Sequence, residues 1–145
     1  MNTAYEDIYA RYRSRVRNYD MLDLEMAQGE LYQKDLLELA IEDFEEICKQ
    51  DLENRDDELR SFGIELTARE KNILSLGMVV HFVEPYVYNT DALQNALSTK
   101  DFSLYSPANL LEKMTDLLKA SKQELRREIN LYSFRNGDVA NMTAR

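Results

Sequence analysis

The sequence predicts an all-α protein: a helical bundle of about four main helices around a central apolar helix at 66–84, plus short helices and an extended C-terminal tail. Three observations lead there. From Ile73 to Val83 almost every residue is apolar, and a helix wrapped in apolar side chains must be enclosed by other elements. Amphipathic stretches at helical spacing flank it on both sides. Glycine and proline number only four and two in 145 residues, which suits long helices with short joints. The length is that of one domain with a single core. We divide it into a helical domain over 1–132 and an extended arm over 133–145.

The first helix is expected to start at Thr3, where Thr3 and Glu6 repeat a capping-box pattern. Tyr5, Ile8, Tyr9, Tyr12, Val16 and Tyr19 then recur on one face, with Arg11, Arg13, Arg15 and Arg17 on the others. An aromatic stripe flanked by arginine can stack nucleic-acid bases. It is more often core or subunit contact, and the acidity of the next segment weighs against nucleic acid. The stretch 18–30 reads as a joint. The second helix runs from about Glu30 to Gln50, with Leu37, Ala40, Ile41, Phe44, Ile47 and Cys48 as its apolar stripe and carboxylates elsewhere. The stretch 51–65 is a polar loop with helical fragments, held to the body by Phe62 and Ile64 around Gly63.

Thr67 and Glu70 form a second capping box and open the central helix. Gly77 costs about 1 kcal/mol there against alanine, so a close approach by another helix would explain it. Pro85 is expected to end or kink the helix near Glu84. Thr90 can cap a short helix over 91–97. Residues 98–105 connect to Ser106 and Pro107, a cap followed by a first-turn proline. The last helix then runs to about Tyr132, carrying Leu110, Leu111, Met114, Leu117, Leu118, Ser121, Leu125, Ile129 and Tyr132 on one face. Lys119, Lys122, Arg126 and Arg127 fall late in it, where they complement the helix dipole. Residues 133–145 have no helical stripe and contain the turn pair Asn136-Gly137. They read either as a plain terminus or as an arm that orders on a partner through Phe134, Val139 and Met142.

The net charge of −9 is unevenly spread. Residues 20–60 carry fifteen acids against four bases, whereas 1–19 and 111–145 are each +2. Such a chain lacks the basic footprint that clamps DNA. The acidic segment is either a solvated face that aids solubility or a surface that nucleic acid passes without sticking.

Catalytic patterns are missing, and we expect no enzyme. His81, the only histidine, lies in the most apolar stretch and reads as a packing residue. Cys48 lies on a core stripe with acids around it and nothing to lower its pKa. Glycine-rich phosphate loops, zinc ligand sets, calcium loops and a G-x-S-x-G elbow are all absent from the sequence. The close carboxylates of the second helix lack the Glu-x-x-His pairs of a two-metal bundle. We therefore expect no cofactor and no metal. One cysteine excludes an internal disulfide framework and points to a reducing compartment. The start, MNTAYEDIYARYR, has no signal-peptide core, and no apolar run approaches the roughly 20 residues that span a bilayer. A soluble protein without a membrane partner is expected.

The runs LAIEDFEEICKQDL, F-x-x-x-L-T-A-R-E-K-N-I-L-x-x-G-M-V-V-H-F-V-E-P-Y-V-Y-N and L-S-T-K-D-F-S-L-Y-S-P-A-N-L-L, in that order, resemble a family of small helical proteins of tailed bacteriophages. These are head-to-tail adaptors, or neck connectors, and the resemblance covers Tyr5 to Tyr132. It implies a structural virion protein of the neck, made in the host cytoplasm. It implies a ring of twelve copies that joins the portal protein to stopper or tail-completion proteins and extends the DNA channel without binding DNA specifically. On that reading Phe134, Arg135, Val139, Met142, Tyr9 and Arg13 are candidate partner contacts, and Glu38, Glu42, Glu45 and Glu46 are candidate channel-facing acids. The alternative is a small acidic helical regulatory or inhibitory binding protein, one that imitates DNA with its carboxylates.

Overall fold

In a computed structural model the described residues are 2–16, 29–88 and 107–135. They form β1 (Thr3–Ala4), α1 (Tyr5–Val16), α2 (Glu30–Phe44), β2 (Arg55–Asp56), β3 (Ser61–Phe62), α3 (Ala68–Tyr88) and α4 (Pro107–Ser133). The helix α3 is the axis, and α1, α2 and α4 all pack on it. It is buried on every side: Ile73, Leu74, Leu76, Met78, Val79, Val80, Phe82 and Val83 are each almost inaccessible. The architecture is the expected all-α bundle, with very little strand.

The start of α3 is the predicted capping box with both bonds made. The Thr67 N–H donates to Glu70 Oε1 at 2.8 Å, and the Glu70 N–H donates to Thr67 Oγ1 at 3.2 Å. The close approach at Gly77 is also present. A Cβ built there would lie 2.8 Å from Ala40 Cβ and 3.3 Å from Ala40 Cα. α2 therefore rests on α3 backbone to backbone at that point.

Of the two outcomes expected at Pro85, an end near Glu84 is not observed: the helix continues through Pro85 to Tyr88. Proline forfeits one hydrogen bond, but packing that spans the break can offset the loss. Tyr86, 8 % exposed, stacks edge-on against Phe82 at 5.6 Å on the same buried side.

The N-terminus departs from expectation. Thr3 lies in β1 and does not cap α1, which begins at Tyr5. Its hydroxyl instead accepts the Leu66 N–H at 2.8 Å. The loop 51–65 holds no helical fragment. Two-residue strands pair antiparallel in the order β1-β3-β2, with Thr3 and Arg55 both opposite Phe62. The Asp56 carboxylate accepts the Glu58 and Leu59 N–H groups and makes the hairpin tip. Arg60 takes a left-handed φ of 54°, and its carbonyl accepts the Tyr5 N–H at 2.8 Å. Phe62 and Ile64 anchor the loop as expected, Phe62 fully buried against the Tyr5 ring at 5.2 Å.

α2 ends at Phe44, six residues short of the expected Gln50. Its last turn has no basic residue, and Asp43, Glu45 and Glu46 crowd carboxylates onto the negative end of the helix. That arrangement opposes propagation. The Ile47 and Cys48 N–H groups turn back onto the Phe44 carbonyl. α4 runs as predicted, burying Met114, Leu118, Ser121 and Tyr132 and leaving Leu111 39 % exposed. The short helix expected at 91–97, the connection 98–105 with the Ser106 cap, Arg17 and Tyr19, residues 18–28 of the joint expected over 18–30, and residues 136–145 lie outside the described residues.

Candidate functional site

One end of the bundle gathers the turn after α2, the start of α3 and the end of α4. The capping carboxylate of α3 organises it. Glu70, 2 % exposed, uses Oε1 for the cap. Its Oε2 accepts the Tyr132 hydroxyl at 2.7 Å and the Cys48 thiol at 3.4 Å. The Tyr132 oxygen in turn accepts the Lys49 N–H at 2.8 Å, and its ring meets Phe44 edge-on at 5.1 Å. A buried carboxylate is stable only when its oxygens find donors, and here three segments supply them.

This node ties the three segments together. Burial pushes the Cys48 thiol up to about 11, so it stays protonated at neutral pH. The thiolate is the nucleophilic form, and it is withheld. Burial likewise raises the Tyr132 phenol above its ordinary value. His81 is half-buried, with Nε2 2.6 Å from Asp43 Oδ2 and Nδ1 3.8 Å from Glu84 Oε1. Among the described residues no group of three or more His, Cys, Asp or Glu side chains is placed to hold a metal ion.

Over the last turns of α4, on both sides of Tyr132 in sequence, the chain presents an apolar and cationic surface. A shallow groove of about 460 Å³ is lined by Gln123, Arg126, Arg127, Asn130, Leu131 and Phe134. Leu131 is 37 % exposed and Phe134 55 %. The neighbouring acids of α4 are turned elsewhere: Glu124 meets Arg15 of α1 at 3.5 Å, and Glu128 meets Arg69 of α3 at 3.1 Å. Arg126 and Arg127 are exposed and have no ion pair among the described residues. A second groove, of about 660 Å³, runs between α1 and α3, but its cations are engaged. There Arg11 donates to Asn72 at 2.6 Å and Lys71 meets Asp7 at 3.6 Å.

The sequence-predicted contact residues fare unequally. Tyr9 is corrected: it is 3 % exposed and packs beside the Tyr5 ring, so it is core and not a presented surface. The stripe that carries it faces α3, which needs an apolar cover. Arg13 is half-buried and engaged inside the chain, donating to Gln33 Oε1 at 3.0 Å and pairing with Glu6. Phe134 and Arg135 are exposed at the end of α4. Val139 and Met142 lie outside the described residues. Of the acids, Glu38 meets Lys34 at 3.5 Å, while Glu42, Glu45 and Glu46 are exposed. A hydrogen bond shared with Glu53 raises the Glu45 pKa.

Sequence reasoning found Glu70 through its spacing from Thr67 but missed its second oxygen. Tyr132 was visible only as the last residue of an apolar stripe. No helix among the described residues is long and apolar enough to cross a membrane. No protein-family model, no curated protein and no solved structure matches the chain.

Proposed function

We propose that this chain is a structural protein of the tailed-phage neck, a head-to-tail adaptor that sits as a ring between the portal and the stopper or tail proteins. It acts by presenting surfaces and has no chemical step. The observation that carries the reading is the clamp at Tyr132. It fixes the last turn of α4 on the bundle, and immediately beyond it Phe134 and Arg135 stand exposed. A clamped helix end followed by exposed apolar and cationic side chains suits a partner contact. The acidity of the chain fits a protein that DNA passes without sticking, since like charge denies phosphates a resting place.

Fractionation of phage particles tests this. The chain co-purifies with mature particles, and a chain ending at Arg135 stays folded but loses portal binding. Absence from particles removes the assignment. A second reading, an acidic binder that imitates DNA, draws on the exposed carboxylates of α2. It predicts a soluble pool outside particles and competition with DNA for a DNA-binding target.

A further inference from the structure

We infer that the acidic outward face of α2 in one copy docks in the cationic groove of α4 in a second copy. The inference deepens the ring reading and rests on it for the existence of neighbouring copies.

The first face is a stripe at helical spacing. Asp35, Leu39 and Glu42 lie three and four residues apart on α2, and Glu46 follows in the turn beyond it. All four are exposed, and Leu39 is 40 % accessible. It is thus an apolar anchor between carboxylates, and Leu31, exposed one turn before Asp35, extends the same face. The second face is its complement in charge and kind. Arg126 and Arg127 flank exposed Leu131 and Phe134, and the fold has diverted Glu124 and Glu128 to other helices.

The helical parts of the two faces are also similar in length: Asp35 to Glu42 on α2 spans about 10 Å and Gln123 to Leu131 on α4 about 12 Å at helical rise. Charge of opposite sign on the two faces, each beside an apolar side chain, makes them complementary. Nucleic acid is a poorer occupant, because two arginines on a chain of net charge −9 give little phosphate neutralisation. One helix face on another buries less than the roughly 1,600 Å² of a standard stable interface. A single contact is therefore weak in free solution and gains strength only when copies are held together.

This assignment moves Glu42 and Glu46 from a channel wall to a subunit contact. It gives Phe134 to the neighbour and leaves Val139 and Met142 for the portal.

The test is sedimentation of the full chain at low salt, from micromolar to millimolar. One variant carries Glu42→Arg and Glu46→Arg; the other carries Arg126→Glu and Arg127→Glu. All four positions are exposed, so the circular dichroism of each variant should equal that of the wild type. The wild type associates, and added salt reverses it. Each variant alone presents like charge on both faces, and its association constant falls by about tenfold or more. An equimolar mixture of the two restores wild-type association, because every α2 face again meets an α4 groove of opposite sign.

A wild type that stays monomeric at millimolar concentration overturns the inference, as does a mixture that fails to recover. Capture by phosphatidylserine vesicles through Arg126 and Arg127, without self-association, also overturns it and assigns the groove to lipid. Leu39→Ala adds a neutral check, weakening association without touching charge. The two readings fail separately. Charge-swap recovery with no chain in particles keeps this contact and ends the adaptor assignment. Particles that retain the Arg126→Glu, Arg127→Glu chain at wild-type amount end the contact and keep the assignment.

Discussion

Replacing Gly77 by alanine sets two effects of opposite sign against each other. In a helix interior alanine is favoured over glycine by about 1 kcal/mol. At this position, however, the added carbon would sit 2.8 Å from Ala40 Cβ and 3.3 Å from Ala40 Cα. Carbon atoms reach optimal contact only at about 3.5–4.0 Å. Ala40 is 2 % exposed and belongs to a helix, so it has no flexible side chain to swing away. α2 must then move off α3 by a large part of an ångström, which loosens Leu37, Ile41 and Phe44 against the axis. Overpacking of a well-filled core costs about 1–3 kcal/mol. Set against the propensity gain, Gly77→Ala should destabilise by about 1 kcal/mol, lowering the melting temperature by about 2–4 °C for a chain of this size. The assay is urea unfolding followed by far-ultraviolet circular dichroism. Ala40→Gly is destabilising alone, but it removes the 2.8 Å partner. In that background Gly77→Ala should turn neutral or stabilising, a coupling of about 1–2 kcal/mol between touching residues. A single Gly77→Ala protein that is more stable than wild type by about 1 kcal/mol refutes the close-approach argument.

Other perturbations probe the clamp and the helix end. Tyr132→Phe leaves the Lys49 N–H without its acceptor and Glu70 Oε2 without its 2.7 Å donor; it should cost about 1–3 kcal/mol per buried group left unsatisfied, read from the denaturant midpoint. Pro85→Ala restores an N–H inside α3; it should raise stability by up to about 3 kcal/mol, and a loss would show that the proline ring itself packs productively. The Cys48 thiol is pushed from 9.0 up to about 11 in the fold, so the unfolded chain releases that proton first. Stability present below about pH 9 should therefore drain away between about pH 9 and pH 11, and Cys48→Ala should flatten that part of the profile. Tyr5 is raised by burial and by its bond to Asp57, and Tyr132 by burial, so both deepen the fall in the same direction above about pH 10.

The axis of the bundle was legible because its signals are local. Thr67 and Glu70 are three residues apart, the apolar run follows at once, and a glycine inside such a run has few explanations other than a near neighbour. The failures share the opposite cause. Thr3 and Glu6 have capping spacing, but the Thr3 backbone and hydroxyl are claimed by Phe62 and Leu66, about sixty residues away in sequence. The strands at 55–56 and 61–62 are too short for alternation to register. Pro85 broke the pattern in the sequence, whereas in the fold the helix runs on through it and Tyr86 packs against Phe82. Tyr9 shows the same limit. Spacing placed it on an aromatic face that could be core or contact, and the fold shows that the face turns inward.

For the surface, residue types were readable and pairings were not. In an isolated α4, Glu124 would lie one turn from Arg127 and would pair with it. A reader of the sequence counts that stretch as nearly neutral. The bundle draws Glu124 to Arg15 and Glu128 to Arg69. The same two bridges that fasten α4 to α1 and α3 therefore leave Arg126 and Arg127 uncompensated beside Leu131 and Phe134. Exposed ion pairs contribute little to stability, so the larger consequence is where they leave positive charge. Glu124→Gln separates the two effects. It should change the unfolding midpoint by less than about 0.5 kcal/mol, while self-association through the groove should strengthen as one nearby carboxylate is removed. A large loss of stability with unchanged association would instead make the bridge a structural strut and the cationic groove incidental to it.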